Sequence, residues 1–197
     1  MNDRMKAFLL AAMCAPLLHG QGAASRVGIA AGYAIPTELH AANALVAGLN
    51  VYFRSQGRLR LEGVTFGPNR TWDTWTTMES KGSAVTLGCD WMPGNGKVRA
   101  ILGIGAMAWS QTLGQQAIGP NGGASFRTYG GKRSGASIVP AAGVQVRLTR
   151  QLALEARYAA AINTGRHDYN LSYQVGNEER PMSYFAVSLE YRFPRFH

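Results

Sequence analysis

From residue 25 to the end, apolar side chains recur at every second position. A period of two belongs to strands with two unlike faces and is incompatible with helical packing. The last segment is clearest: Phe185, Val187, Leu189, Tyr191 and Phe193 share one face, and Tyr184, Ala186, Ser188, Glu190 and Arg192 the other. Upstream, Leu152, Leu154, Ala156 and Tyr158 alternate with Ala153, Glu155, Arg157 and Ala159. The same alternation runs through residues 136–148, 98–109, 84–91, 59–62, 45–54 and 27–34. This predicts about eight strands of roughly 10 residues, the length that crosses a bilayer at a tilt.

The connections alternate as well. Short turns are expected at Ser55-Gln56-Gly57-Arg58, at Gly94-Asn95-Gly96-Lys97 and at Thr149-Arg150-Gln151, and Asn95-Gly96 is a tight-hairpin signal. Long connections are expected over residues 35–43, 67–82, 111–135 and 163–181. Short turns on one rim and long loops on the other predict a closed up-and-down antiparallel transmembrane β-barrel, with periplasmic turns and extracellular loops.

A soluble barrel would alternate too, with its apolar face inward. Here the polar face is built mainly of Gly and Ala, which suit a narrow interior better than a wetted surface. Its charges are mixed: Arg54, Arg60, Arg99, Arg147, Arg157 and Arg192 accompany Glu62, Asp90, Glu155 and Glu190. Buried ions require partners, so Arg60, Glu62, Glu155, Arg157, Glu190 and Arg192 are expected to form lumen ion pairs. One antiparallel register sets Glu155 opposite Arg192 and Arg157 opposite Glu190. The apolar face carries no charge within the strand cores, as lipid contact demands. Phe53, Trp91, Tyr191 and Phe193 near the short turns, with Tyr33, Tyr158 and Phe185 near the long loops, suggest two interfacial belts. Cys89 falls on the lipid-facing side.

Residues 1–24 read as a secretory signal peptide. Arg4 and Lys6 precede the apolar core at 7–18, and small residues place cleavage after Gly22 or Ala24. Residues 25–197 then form the barrel domain. Cys14 follows Met13 rather than a small residue, which argues against a lipoprotein, and Cys89 alone cannot form an internal disulfide. The chain lacks the roughly 18 unbroken apolar residues of a transmembrane helix.

Val187-Ser188-Leu189-Glu190-Tyr191-Arg192-Phe193 resembles the closing strand of bacterial outer-membrane barrels. The whole pattern is similar to small barrels of the OmpA-transmembrane, OmpX and OmpW type. The resemblance implies that Val187, Leu189, Tyr191 and Phe193 are the assembly signal read by the barrel-insertion machinery. It also implies outer-membrane lipid and lipopolysaccharide as surroundings, and a monomer. The tail Pro194-Arg195-Phe196-His197 departs from the family, which usually ends on the aromatic residue.

Catalytic signals are weak. Lipid A deacylases of this class carry His-x-Ser-Asn, whereas the corresponding stretch is Ala161-Ile162-Asn163-Thr164-Gly165. His40, His167 and Asp168 lie in long connections without a signature spacing. No zinc spacing is present, and the Gly-rich run at 119–123 lacks a phosphate-loop context. No cofactor or metal is expected. The net charge of +9 fits pairing of Arg70, Lys81, Arg127, Lys132, Arg133, Arg166 and Arg180 with lipopolysaccharide phosphates, and export argues against nucleic acid. Trp72 and Trp75 are expected in the second long connection. The expected role is structural, adhesive or recognitive in the bacterial outer membrane. The alternatives are a narrow channel or transporter for small or apolar solutes, and, less favoured, a lipid-A-modifying enzyme.

Overall fold

The computed structural model describes residues 26–36, 44–53, 56–72, 76–94, 96–117, 128–163 and 183–194. The leader, His40, His167, Asp168, Trp75, Arg54 and the last three residues of the tail lie outside them.

The strands are β1 (Arg26–Pro36), β2 (Ala44–Phe53), β3 (Gly57–Trp72), β4 (Thr76–Trp91), β5 (Val98–Ala117), β6 (Thr128–Arg147), β7 (Leu152–Ala159), β8 (Ile162–Asn163) and β9 (Tyr184–Arg192). Every neighbouring pair is antiparallel, and the β1–β9 and β5–β6 pairings close the sheet on itself. The nine segments make eight staves, because β8 continues β7 against β6 in unbroken register. Pro140 explains the interruption. It lies in β6 beside the gap and has no N–H to donate, so only Ala160 N to Pro140 O, at 3.0 Å, bridges there.

The two faces separate cleanly. On β9 the buried residues Tyr184, Ala186, Glu190 and Arg192 alternate with the exposed Phe185, Val187, Leu189 and Tyr191. Leu45 is 67% exposed and Leu87 54% exposed, although both are large and apolar. Among the described residues, the first charge met on an outward position is Lys81, where β4 rises beyond Gly82. Below that level the outer wall presents hydrocarbon to lipid, and the polar backbone is satisfied by the closed ladder. Tyr33, Tyr158 and Phe185 are exposed toward one rim, and Trp91 and Tyr191 toward the other.

Several sequence expectations need correction. Residues 67–72, 76–82, 111–117 and 128–135 are strand rather than loop. They form a ladder of their own, with Trp72 opposite Thr77 and Gln116 opposite Thr128. The backbone ladder continues there although the sequence alternation fades. Between Phe66 and Asn69 the register shifts by one residue, at Gly67, whose φ of 82° suits a bulge. The connection after β4 spans residues 92–97 and takes a positive φ of 100° at Gly94, while Asn95 of the tight-hairpin signal lies outside the described residues. Arg58 lies within β3, not in a turn. Cys89 keeps the outward parity but is only 7% exposed, lying in register between Leu59 and Ile104.

Candidate functional site

The interior is divided along the barrel axis. Toward the long-loop end it is apolar, with Phe66, Met107, Trp109 and Tyr184 filling space between Ala and Val side chains. The indole of Trp109 donates to Ser137 Oγ at 3.1 Å. Toward the short-turn end, Tyr52, Met92 and Ile101 form a second apolar group. Between them lies a charged waist.

Alternation places the waist residues. Arg58, Arg60 and Glu62 share one parity on β3, Glu155 and Arg157 on β7, and Glu190 and Arg192 on β9. Asp90 on β4, Asn50 and Tyr52 on β2, and Gln145 on β6 complete it. Among the described residues the buried charged ones are four arginines (58, 60, 157, 192) and four carboxylates (62, 90, 155, 190), so the waist they form is formally neutral. Neutrality and dense pairing are what permit ions in so dry a space.

The strongest contacts run across the lumen. In the closed stave order, β3 stands diametrically opposite β7, and β2 opposite β6. Arg157 donates to Glu62, and Arg58 donates to Glu155, so two ion pairs bridge β3 and β7. Arg58 also binds its neighbour Asp90 through Nε at 2.8 Å and Nη2 at 2.6 Å. The Tyr184 hydroxyl donates to Glu62. Gln145 Nε2 donates to Glu190 at 2.9 Å and to the Tyr52 hydroxyl at 3.3 Å, and Arg192 donates to Gln145 Oε1. The Tyr52 hydroxyl in turn donates to Glu190 at 2.6 Å, and the Arg192 guanidinium lies 4.5 Å from the Tyr52 ring centre. Asn50 donates to Glu190 at 3.1 Å.

Glycines make room for this layer. A Cβ at Gly28 would fall on the Glu190 carboxylate, one at Gly103 on Asp90, and one at Gly88 on the Arg60 guanidinium.

The structure places all six residues singled out as ion pairs in the waist, but with different partners. The register runs Leu152 opposite Tyr191 and Ala153 opposite Glu190. Glu155 therefore lies opposite Ser188, not Arg192, and Arg157 opposite Ala186, not Glu190. Same-strand contacts Arg60–Glu62, Arg157–Glu155 and Arg192–Glu190 are loose, at 3.3, 3.4 and 3.3 Å. Arg60 Nη1 reaches Glu62 without hydrogen-bond alignment. Sequence reasoning missed Arg58, Tyr52, Gln145 and Tyr184, although all four share the inward parity. Arg99 and Arg147 have that parity but are half-exposed at the short-turn mouth. Val187, Leu189 and Tyr191 face outward on β9, and Tyr191 meets Phe193 edge to face at 5.4 Å. No group of metal-ligating side chains occurs among the described residues.

The N-terminal β-barrel domain of Pseudomonas aeruginosa OprF superposes on 88% of this chain and all of that domain, with a TM-score of 0.55 and 13% identity. This is the fold of a small outer-membrane barrel. A major outer membrane protein of Thermus thermophilus matches at a TM-score of 0.58 and 11% identity, over 87% of this barrel and 100% of that chain. Ail, the attachment invasion locus protein of Yersinia pestis, matches at 0.51 and 13% identity, over 86% and 97%. At such identities the barrel architecture is shared and the side-chain chemistry is not. No family model and no curated protein matches the sequence.

Proposed function

We propose that this chain is a non-conducting, non-enzymatic surface-recognition barrel of the bacterial outer membrane. It is exported through a leader cleaved after Gly22 or Ala24 and works as a monomer. One observation carries the reading: strands β3 to β6 outrun their neighbours. β2 pairs with β3 only as far as Phe66, and β8 pairs with β6 only at Ser137 and Ile138. Beyond those points β3 to β6 stay paired to one another for about six more residues, roughly 20 Å of strand at the usual rise. The outer backbone edges of β3 and β6 have no ladder partner there among the described residues. Such edges add a strand from a partner, and main-chain bonds supply the affinity. Ail, named for attachment and invasion, offers a precedent on the same scaffold by fold analogy alone.

Lipid and lipopolysaccharide surround the wall in this reading, and the insertion machinery reads Val187, Leu189, Tyr191 and Phe193. The struts between β3 and β7 argue against the competing solute path, because an ion or solute must break them to pass. Reconstitution in planar bilayers is expected to give no unitary conductance. Cells displaying the chain are expected to adhere to epithelial monolayers above vector controls. Adhesion should return to control when residues 67–81 and 112–132 are replaced by short turns and the barrel still migrates as a folded band. Equal adhesion with and without the extension would refute the recognition reading, and steady channels would refute the closed lumen. Altered lipid A in expressing cells would restore the enzyme reading.

A further inference from the structure

At the short-turn rim, two neighbouring turns bring cations together. The ends of β5 and β6 are in register, Val98 opposite Val146, and Arg147 N donates to Lys97 O at 2.7 Å. The turn after β6 is held by Thr149 Oγ1, which accepts from Gln151 N at 3.2 Å and Leu152 N at 2.9 Å. That leaves Arg150 at its exposed tip. Lys97 is exposed and Arg147 half-exposed. No carboxylate pairs with these three among the described residues: Asp90 and Glu155 are engaged with Arg58, and Glu190 with Tyr52, Gln145 and Arg192.

The outer wall remains apolar to the same level: Val98 is 58% exposed and Leu148 50% exposed, beside Lys97 and Arg147 in the chain. Hydrocarbon contact thus reaches the rim, and the cations stand at the height of the headgroups. Arg147 starts from the inward parity at the mouth, and its long stem reaches the phosphate plane by turning over the rim beside the exposed Leu148.

We propose that Lys97, Arg147 and Arg150 form a binding site for the phosphate headgroups of anionic phospholipid in the periplasmic leaflet. The arrangement combines cations without an acidic partner among the described residues, a turn that fixes one of them, and an apolar wall for the acyl chains. It lies at the opposite rim from the extended sheet and does not depend on the recognition reading.

The test is native mass spectrometry of the detergent-refolded chain titrated with an equal mixture of phosphatidylglycerol and phosphatidylethanolamine. The wild type is expected to retain phosphatidylglycerol preferentially, and less so as salt rises. The triple variant Lys97→Gln, Arg147→Gln, Arg150→Gln should lose that preference by about a hundredfold, as three basic residues at an anionic surface imply. Lys81→Gln at the far rim should leave it unchanged. A wild type without preference, or one whose preference ignores salt, overturns the proposal even if the triple variant fails to fold. A folded triple variant that keeps the preference overturns it too. Equal binding of inorganic phosphate without lipid preference would assign the cations to soluble anions and overturn the lipid site.

Discussion

Replacing Arg58 by Met tests whether the waist holds the barrel together. Methionine keeps much of the stem volume and removes the guanidinium. The wild-type side chain is fully buried and binds two carboxylates, Asp90 through Nε and Nη2 and Glu155 through Nη1 and Nη2. Without it, Asp90 keeps Arg60 at 3.2 Å and Glu155 keeps Arg157 at 3.4 Å, both weaker contacts. The buried charges become three arginines against four carboxylates, counted from the four of each in the wild type. Removing one partner of a buried ion pair costs about 3–5 kcal/mol. Against a typical total of about 5–15 kcal/mol, that is a large share. Adding Glu155→Gln restores formal neutrality and should recover part of the loss, with a coupling of about 0.5–3 kcal/mol. Equilibrium unfolding in lipid vesicles, followed by Trp fluorescence and by mobility of the unboiled gel band, measures both. If Arg58→Met lies within about 0.5 kcal/mol of wild type, the cross-lumen pairs are ornamental and the reasoning fails.

Other expectations concern the walls. Gly32→Ala should destabilise by about 1–3 kcal/mol, because its Cβ would strike the β9 backbone at Val187 O and Ser188 Cα. Gly63→Ala, whose Cβ would meet only Ala47 O at 4.0 Å, should change stability by less than about 0.5 kcal/mol in the same unfolding assay. Leu61→Arg puts a cation on the lipid side of β3, where the leucine is 48% exposed. Its vesicle-reconstituted unfolding free energy should fall by about 2–4 kcal/mol. An unchanged value would mean that this wall does not face hydrocarbon.

The strands and their faces were legible because lipid outside and a narrow lumen inside make opposite demands on successive residues. Register was not. The anticipated Glu155–Arg192 pairing differs from the observed Glu155–Ser188 by four positions along β9 (192 − 188). An even slip keeps every residue on its face, so alternation cannot detect it. Contacts across the lumen were invisible for a related reason: parity tells which way a side chain points, not how high it sits or which opposite stave it meets. Arg58 was read as turn because Ser55-Gln56-Gly57 precedes it, yet its parity with Arg60 and Glu62 was available. The extension of β3 to β6 was missed because its sequence, such as Thr76-Thr77-Met78-Glu79-Ser80-Lys81, no longer alternates apolar with small residues.

The waist also explains how the chain tells inside from outside. The upper lumen, with Phe66, Met107 and Trp109, is nearly as apolar as the outer wall, so hydrophobicity there discriminates weakly. The charged layer discriminates strongly. A slip of one residue sends every side chain of a stave to the other face, and its buried arginines would then face lipid, at up to about 2–4 kcal/mol each near the midplane and less beside the interfacial Trp91 and Tyr191. That penalty is a large share of the roughly 5–15 kcal/mol that stabilises a typical domain. An apolar plug of equal volume would fill the same space and escape the desolvation cost of the ions, but it would leave the inverted barrel nearly as favourable. The ions therefore do two things at once: their pairing bridges the lumen between β3 and β7, and their parity fixes which face of those staves meets lipid.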